Sequence, residues 1–271
     1  MKMTQKWAVA ATVTLGALAF AGAAFAADLP ARTYAKAPMA SPVFSWTGFY
    51  VGGHVGAGWG TTETTANVGA LINGFLPGAG VGFNLPVGQT QMNGFLGGAQ
   101  AGYNWQSGMM VYGVEGDISW SGIKGGTACL FVLNCTAEVK WIGDVTGRLG
   151  VTVGDRGLVY IKGGAAWADT NYTAGQNLTV GGLGASGVLG GAVSNTRFGG
   201  VLGTGIEYGF MPGWSVKLEY DYFDFGKTDL NMPVVATGAI AGVGGGTVKF
   251  NLPINVNQQV HTIRVGANYH F

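Results

Sequence analysis

The sequence predicts an all-β fold, an eight-stranded antiparallel up-and-down transmembrane β-barrel with long extracellular loops. Three observations predict it. Charged residues make up only 10% of the 271-residue chain, against about 25% in typical globular domains. After residue 26 no run approaches the roughly 18 continuous apolar residues of a membrane helix. Apolar side chains instead recur at every second position, the period of a strand with two different faces. Mean hydropathy is positive and glycine, at 51 residues, is too frequent for helix. Only helices and closed barrels satisfy their backbone in lipid, so a chain of this kind is expected to close on itself.

The first residues address the chain. Lys2 and Lys6 precede an uncharged, Ala-rich run from Trp7 to Ala24, and Ala24-Phe25-Ala26 supplies small residues where a signal peptidase reads. Residues 1–26 are therefore read as a secretory signal peptide, cut after Ala26. Residues 27–45, punctuated by Pro30, Pro38 and Pro42, read as a flexible periplasmic lead-in, and 46–271 as the barrel. Loss of Lys2 and Lys6 leaves a net charge of about −1, which points to no nucleic acid and no polybasic membrane contact.

Eight segments alternate. In the first, Phe49, Val51, Val55, Ala57 and Trp59 oppose Tyr50, Gly52 and His54. The second, near 92–106, sets Phe95, Ala99, Tyr103 and Trp105 against Gln100 and Asn104. The third, near 110–121, sets Tyr112, Val114, Ile118 and Trp120 against Glu115, Asp117 and Ser119. The fourth, 139–153, sets Val139, Trp141, Val145 and Leu149 against Lys140, Asp144, Thr146 and Arg148. The fifth, 158–168, sets Val159, Ile161 and Trp167 against Tyr160 and Lys162. The sixth, 196–210, sets Phe198, Leu202, Ile206 and Tyr208 against Arg197 and Glu207. The seventh, 214–225, sets Trp214, Val216, Leu218 and Tyr220 against Lys217, Glu219 and Asp221. The eighth, 259–271, sets Ile263, Val265, Tyr269 and Phe271 against Thr262, Arg264, Asn268 and His270. Tight turns near 107–109, 154–157 and 211–213 alternate with long connections near 61–91, 122–138, 169–195 and 226–258. Short periplasmic turns and long external loops are the outer-membrane pattern. Aromatics fall at both ends of the apolar face, where amphipathic rings favour a membrane interface.

The polar faces bring together Glu115, Asp117, Lys140, Asp144, Arg148, Lys162, Arg197, Glu207, Lys217, Glu219, Asp221 and Arg264. An eight-stranded barrel has an interior just wide enough for side chains to fill, and charges there must pair or cost heavily. The expected role is a salt-bridged plug that fixes the barrel. His54, His261 and His270 have no metal-ligand spacing, and no nucleophile motif accompanies them, so no catalytic residue, metal or cofactor is expected. Cys129 and Cys135 in an exported chain read as a disulfide, closing a short loop for about 2 kcal/mol. The long connections hold apolar segments, such as Leu71–Leu76 and Met232–Val235, which either form an interaction surface or pack among themselves.

Phe44-Ser45-Trp46-Thr47-Gly48-Phe49-Tyr50-Val51-Gly52-Gly53, Ala27-Asp28-Leu29-Pro30, Thr146-Gly147-Arg148-Leu149-Gly150, Lys217-Leu218-Glu219-Tyr220-Asp221-Tyr222 and the ending Arg264–Phe271 carry a resemblance. The chain resembles the alphaproteobacterial outer-membrane immunogenic protein, or porin-family, β-barrels of the wider OmpA-like group. The resemblance implies an outer-membrane barrel and no enzyme. It implies that Tyr269 and Phe271 act as the signal read by the outer-membrane assembly machinery. Relatives with a peptidoglycan-binding domain carry it after the barrel, and no such domain is expected here. The expected function is a structural surface protein of the envelope, in contact with outer-membrane lipids and lipopolysaccharide. The alternatives are a narrow porin for small solutes and a surface protein whose extracellular loops bind a ligand, haem or another apolar molecule.

Overall fold

The computed structural model describes residues 44–67, 69, 84–129, 133–180, 185–240 and 244–271. The expected signal peptide, residues 27–43 and the apolar segment Leu71–Leu76 lie outside these residues. Eight strands follow in chain order: β1 (Gly48–Asn67), β2 (Asn84–Ser107), β3 (Met110–Cys129), β4 (Leu133–Val153), β5 (Gly157–Val180), β6 (Ala185–Met211), β7 (Trp214–Ile240) and β8 (Gly244–His270). Each pairs antiparallel with its neighbours in sequence. β8 returns to β1, from Tyr50 opposite His270 to Ala66 opposite Ile254, and the barrel closes.

Alternation makes this a two-faced wall. On β8 every even-numbered residue from Leu252 to His270 is buried and every odd-numbered one is not. Val55, Phe95, Phe198 and Leu202 point outward and are 68%, 83%, 77% and 68% exposed, an arrangement stable in lipid and not in water. Aromatics end this apolar belt at both heights. Trp105 lies opposite Tyr112 and Trp214 opposite Tyr269 near the periplasmic turns. Trp120 lies opposite Trp141 and Trp167 opposite Phe198 at the outer edge. The three periplasmic turns each place a glycine, Gly108, Gly154 or Gly213, at φ of +60°, +64° or +75°. A side chain is strained in that left-handed region, which explains why turns of two or three residues suffice.

The strands run farther than the sequence pattern indicates. They hold 20 to 27 residues, where about 9–11 span a bilayer. Much of the four stretches expected as long loops is paired hairpin. β5 and β6 pair without a break from Gly157 opposite Tyr208 to Val180 opposite Ala185. Above the lipid belt the outward residues are mostly polar or charged, such as Thr61, Glu63, Lys124, Thr136, Ser194 and Asp229, so the apolar outer row that marks a strand in sequence stops while the ladder continues.

Three side chains, Lys140, Val139 and Phe44, depart from the sequence expectation because of a bulge and a strap. Lys140 was expected inside the barrel and is exposed on its outer surface. β4 slips register between Val139 and Trp141 against β5, so Lys140 and Trp141 both face outward while Val139 turns fully inward. One extra residue in a strand inverts the faces beyond it. Phe44, assigned to the flexible lead-in, is packed. Its N–H donates to the Asp155 carbonyl at 3.1 Å, and its ring joins Trp46, Val111, Leu158 and Tyr160 in a cluster across the periplasmic mouth.

Deleting Lys140 removes the bulge and returns Glu138 and Thr136 to the apolar interior. An unpaired buried carboxylate costs several kcal/mol. The deletion should therefore strongly reduce the heat-modifiable folded fraction, whereas Lys140→Ala, which keeps the bulge, should fold at wild-type yield. Equal yields from both variants would contradict the assignment.

Candidate functional site

The lower and middle lumen holds a compact ionic network, positioned by inward positions on β3 to β8. Arg148 of β4 sits at its base. Its Nη2 lies 2.9 Å from Glu207 Oε2, and its Nη1 lies 3.4 Å from Glu115 Oε2 and donates to the Tyr50 hydroxyl at 2.8 Å. The guanidinium stacks over the Tyr160 ring, 3.9 Å from its centroid. Tyr50 and Tyr160 in turn donate to Glu115 and Glu219, each at 2.7 Å. Lys162 Nζ bridges Glu219 at 2.7 Å, Glu115 at 3.4 Å and Asp221 at 3.4 Å. Lys217 Nζ adds Glu115 at 3.5 Å and Glu219 at 3.4 Å. One tier higher, Arg264 contacts Asp117 at 3.0 Å, Asp221 at 3.4 Å and Asp144 at 3.8 Å.

All of these side chains are excluded from solvent. Ion pairs so placed are weak evidence of net stability, since desolvation offsets their attraction, but removing one partner leaves a bare buried charge. The members are unequal. Arg148 has two carboxylate partners and a stacked ring. Asp144 has one ion contact, at 3.8 Å, and pairs directly across the ladder with Asp117, a like charge.

Arg197 stands apart from this network. On the β5–β6 ladder it lies opposite Ala168, six residues beyond Lys162, about 20 Å along a strand. An apolar tier that includes Ile123, Ile142, Val201 and Phe223 fills the space between. Arg197 instead donates to the carbonyls of Gly226 at 2.7 Å and Val256 at 2.9 Å, to the Tyr172 hydroxyl at 3.1 Å and to Gln258 at 3.1 Å. Periodicity shows that it faces inward, but not at which height.

His54 extends the network toward β2 and β3. Glu207 accepts from Asn268 Nδ2, Asn268 Oδ1 accepts from Gln100 Nε2, and Gln100 Oε1 then meets His54 Nδ1 at 2.6 Å. On the other side, Ser119 donates to Asp117 at 3.0 Å and meets His54 Nε2 at 2.8 Å. Asp117 Oδ2 also lies 3.3 Å from His54 Nδ1, so the imidazole joins the two halves of the lumen. The sequence places His54 and Tyr50 on the polar face of the first strand. Their partners, 46 to 98 residues away in sequence, come only with the closed ring.

Of the remaining expected site residues, Tyr269 and Phe271 lie on the outer face at the periplasmic end. The Phe271 N–H donates to the Phe49 carbonyl at 2.9 Å, and the two rings are 5.9 Å apart. Cys135 of β4 lies opposite Thr127, and Cys129 opposite Leu133, which makes the cysteines diagonal neighbours in the β3–β4 hairpin. The Cys129 side chain lies outside the described residues.

The inequality of the ion pairs is testable. Arg148→Ala should destabilise the folded barrel by about 3–5 kcal/mol. Asp144→Asn should cost under about 1 kcal/mol or stabilise, because it removes a like-charge cross-strand pair. Urea titrations in lipid vesicles, followed by tryptophan emission, compare the two. A larger loss for Asp144→Asn would refute the ranking.

Comparison with known proteins agrees with this architecture. The family model of the outer membrane protein beta-barrel domain matches residues 12–271. The 31 kDa outer-membrane immunogenic protein of Brucella melitensis biotype 1 is 35% identical, covering 93% of this chain and 95% of that protein. A 22 kDa outer membrane protein of Rhizobium leguminosarum bv. viciae is 29% identical over 73% of this chain and 72% of its own. Among solved structures, the outer membrane protein OprG of Pseudomonas aeruginosa matches 85% of this chain and all of its own at 13% identity, with a TM-score of 0.43. The chain belongs to the outer membrane protein beta-barrel domain family and is a protein of the bacterial outer membrane.

Proposed function

We propose that the protein is a closed, non-catalytic barrel that stabilises the envelope and holds paired hairpins on the cell surface. The observation that carries this reading is the filled bore. Ion-paired side chains occupy its middle, and the Phe44–Trp46 strap covers its periplasmic mouth, with the Trp46 N–H held by Gln106 at 3.0 Å. A bore closed by its own side chains has no place for a permeating ion. Pure protein in planar bilayers should give no stable nanosiemens-scale steps. Reproducible large steps would replace this reading with the porin one.

A second reading, ligand capture at the surface, is favoured by one feature. An open cavity of about 750 Å³ lies among the upper parts of β4 to β7, lined by Asn134, Gln176, Val188, Gly191, Pro233 and Val235. Titration with haem, followed by its absorption band, tests it, and saturable binding lost in Val188→Asp would favour capture.

The proposal includes export with cleavage after Ala26, contact with lipopolysaccharide, and a Cys129–Cys135 disulfide in the β3–β4 hairpin. It also includes recognition of Tyr269 and Phe271 by the assembly machinery. Phe271 terminates a row of outward apolar residues on the closing strand, so an inserted residue before it shifts the end of that row by one face. Deleting Phe271, or inserting one residue before it, should reduce heat-modifiable barrel in outer-membrane fractions far more than Asn177→Ala does. Normal amounts from both variants would show that this end is ordinary.

A further inference from the structure

We infer that the outer surface of β3 and β4, just above the outer aromatic band, is a binding site for a phosphorylated glycolipid of the outer leaflet. The site is built by the β4 bulge. It turns Lys140 out of the lumen and onto the lipid side. Ile123 pairs with Val139, so exposed Lys124 and exposed Lys140 are diagonal outward neighbours, about 7 Å apart at the backbone. Two four-carbon stems at that spacing can bring both ammonium groups onto one phosphate. Neither lysine has an ion-pair partner among the described residues.

The surface just below is apolar. Trp120 is 63% exposed and pairs directly with half-exposed Trp141, and Ile118 continues the row toward the membrane centre. Cations therefore stand at the depth where a leaflet carries phosphate, directly above rings at the depth where it carries the start of its acyl chains. A soluble anion would use only the lysines; a glycolipid uses both layers. Glu138 faces the same side opposite Lys124. On β4 it lies farther from the membrane than Lys140, and half-exposed Asp169 faces outward opposite Trp141 on β5, so one carboxylate bounds the lysine pair above and another bounds it on the β5 side. Lys227, an exposed lysine at similar height on β7 between Asp224 and Asp229, has Asn257 opposite it on β8 and no second lysine beside it among the described residues.

This inference rests on the membrane placement of the aromatic bands and goes beyond the structural role. The test uses the folded full-length barrel in non-ionic detergent, titrated with bis-phosphorylated lipid A, dephosphorylated lipid A or inorganic pyrophosphate. Native mass spectrometry reads bound lipid. Lys124→Gln/Lys140→Gln should bind bis-phosphorylated lipid A about thirtyfold more weakly, at a tenfold change per 1.4 kcal/mol and about 1 kcal/mol for each lysine. Lys227→Gln should bind as wild type. Dephosphorylated lipid should not distinguish wild type from the double variant. Pyrophosphate should not displace the lipid at equal concentration; displacement would identify a free-phosphate site instead and overturn the glycolipid assignment. Equal lipid binding by wild type and the double variant, both confirmed folded by heat-modifiable migration, would also overturn it. Quenching of Trp120 emission by brominated lipid in vesicles, compared with Trp120→Phe, separates the two levels. Quenching with no lysine dependence removes the site alone, and no quenching removes the membrane placement beneath it.

Discussion

Lipid offers a peptide group no hydrogen-bond partner, so a strand in lipid must find every partner within the chain. That constraint requires β8 to meet β1, and the 17 register pairs from Tyr50–His270 to Ala66–Ile254 meet it. Closure at eight strands then fixes a narrow bore, and a narrow bore must be filled by side chains. Since the outer wall takes the apolar residues, the filling falls to what alternates with them. The lumen is polar because the outside is lipid, and its charges must be arranged against one another because no water reaches them in quantity.

The geometry shows how a polar filling is made tolerable. Glu115 is surrounded by Arg148, Lys162 and Lys217 and accepts from Tyr50. Glu207 accepts from Ser215 and Asn268 in addition to its contact with Arg148. Each of these carboxylates thus has both Coulombic and hydrogen-bonded compensation, the condition under which buried charge is sustained. The tyrosines are as necessary as the lysines. They carry a hydroxyl to a carboxylate and offer a ring face to a guanidinium, filling volume without adding charge. The side-chain network ties strands that are not neighbours, such as β1 to β3 through Tyr50 and β5 to β7 through Tyr160, so it braces the cross-section in a way that ladder hydrogen bonds cannot.

Much of this was legible before any coordinates. Period-two alternation located eight strands, their order and their inward carboxylates, because in lipid the outward row is uniformly apolar and any polar residue stands out. Partner identity was not legible. Which lysine meets which glutamate depends on barrel stagger, which no local pattern encodes. Arg197 illustrates this: its inward direction follows from parity, yet its height separates it from every carboxylate in the network. Strand length was illegible for a different reason. Above the outer aromatic band both sides of the wall change solvent, and the outward apolar row that served as the signal disappears.

That change of solvent also explains the bulges. Below the outer band the wall is apolar outside and polar inside; above it, water lies outside and the interior becomes apolar, with Met232, Val234, Leu252 and Ile254 buried. A strand crossing the boundary must exchange its faces, and two solutions are visible. β8 keeps its geometry and changes its sequence. Even positions face inward throughout and pass from Asn268, Arg264 and Thr262 to Val260, Val256 and Ile254. β4 and β7 keep their sequence parity and change their geometry. On β4 the odd positions are apolar on both sides of Lys140, outward at Val145 and Leu149 and inward at Val139 and Ala137. On β7 the even positions are apolar outward at Val216 and Leu218, and inward at Leu230 and Met232 beyond a register shift between Asp224 and Lys227. There Gly226 adopts φ +60° and its N–H is held by Asp224 at 2.8 Å. An unbroken run of alternation, read as one continuous face, therefore assigns Lys140 to the wrong side. The residue left outside by the inversion is an exposed cation just above the outer aromatic band.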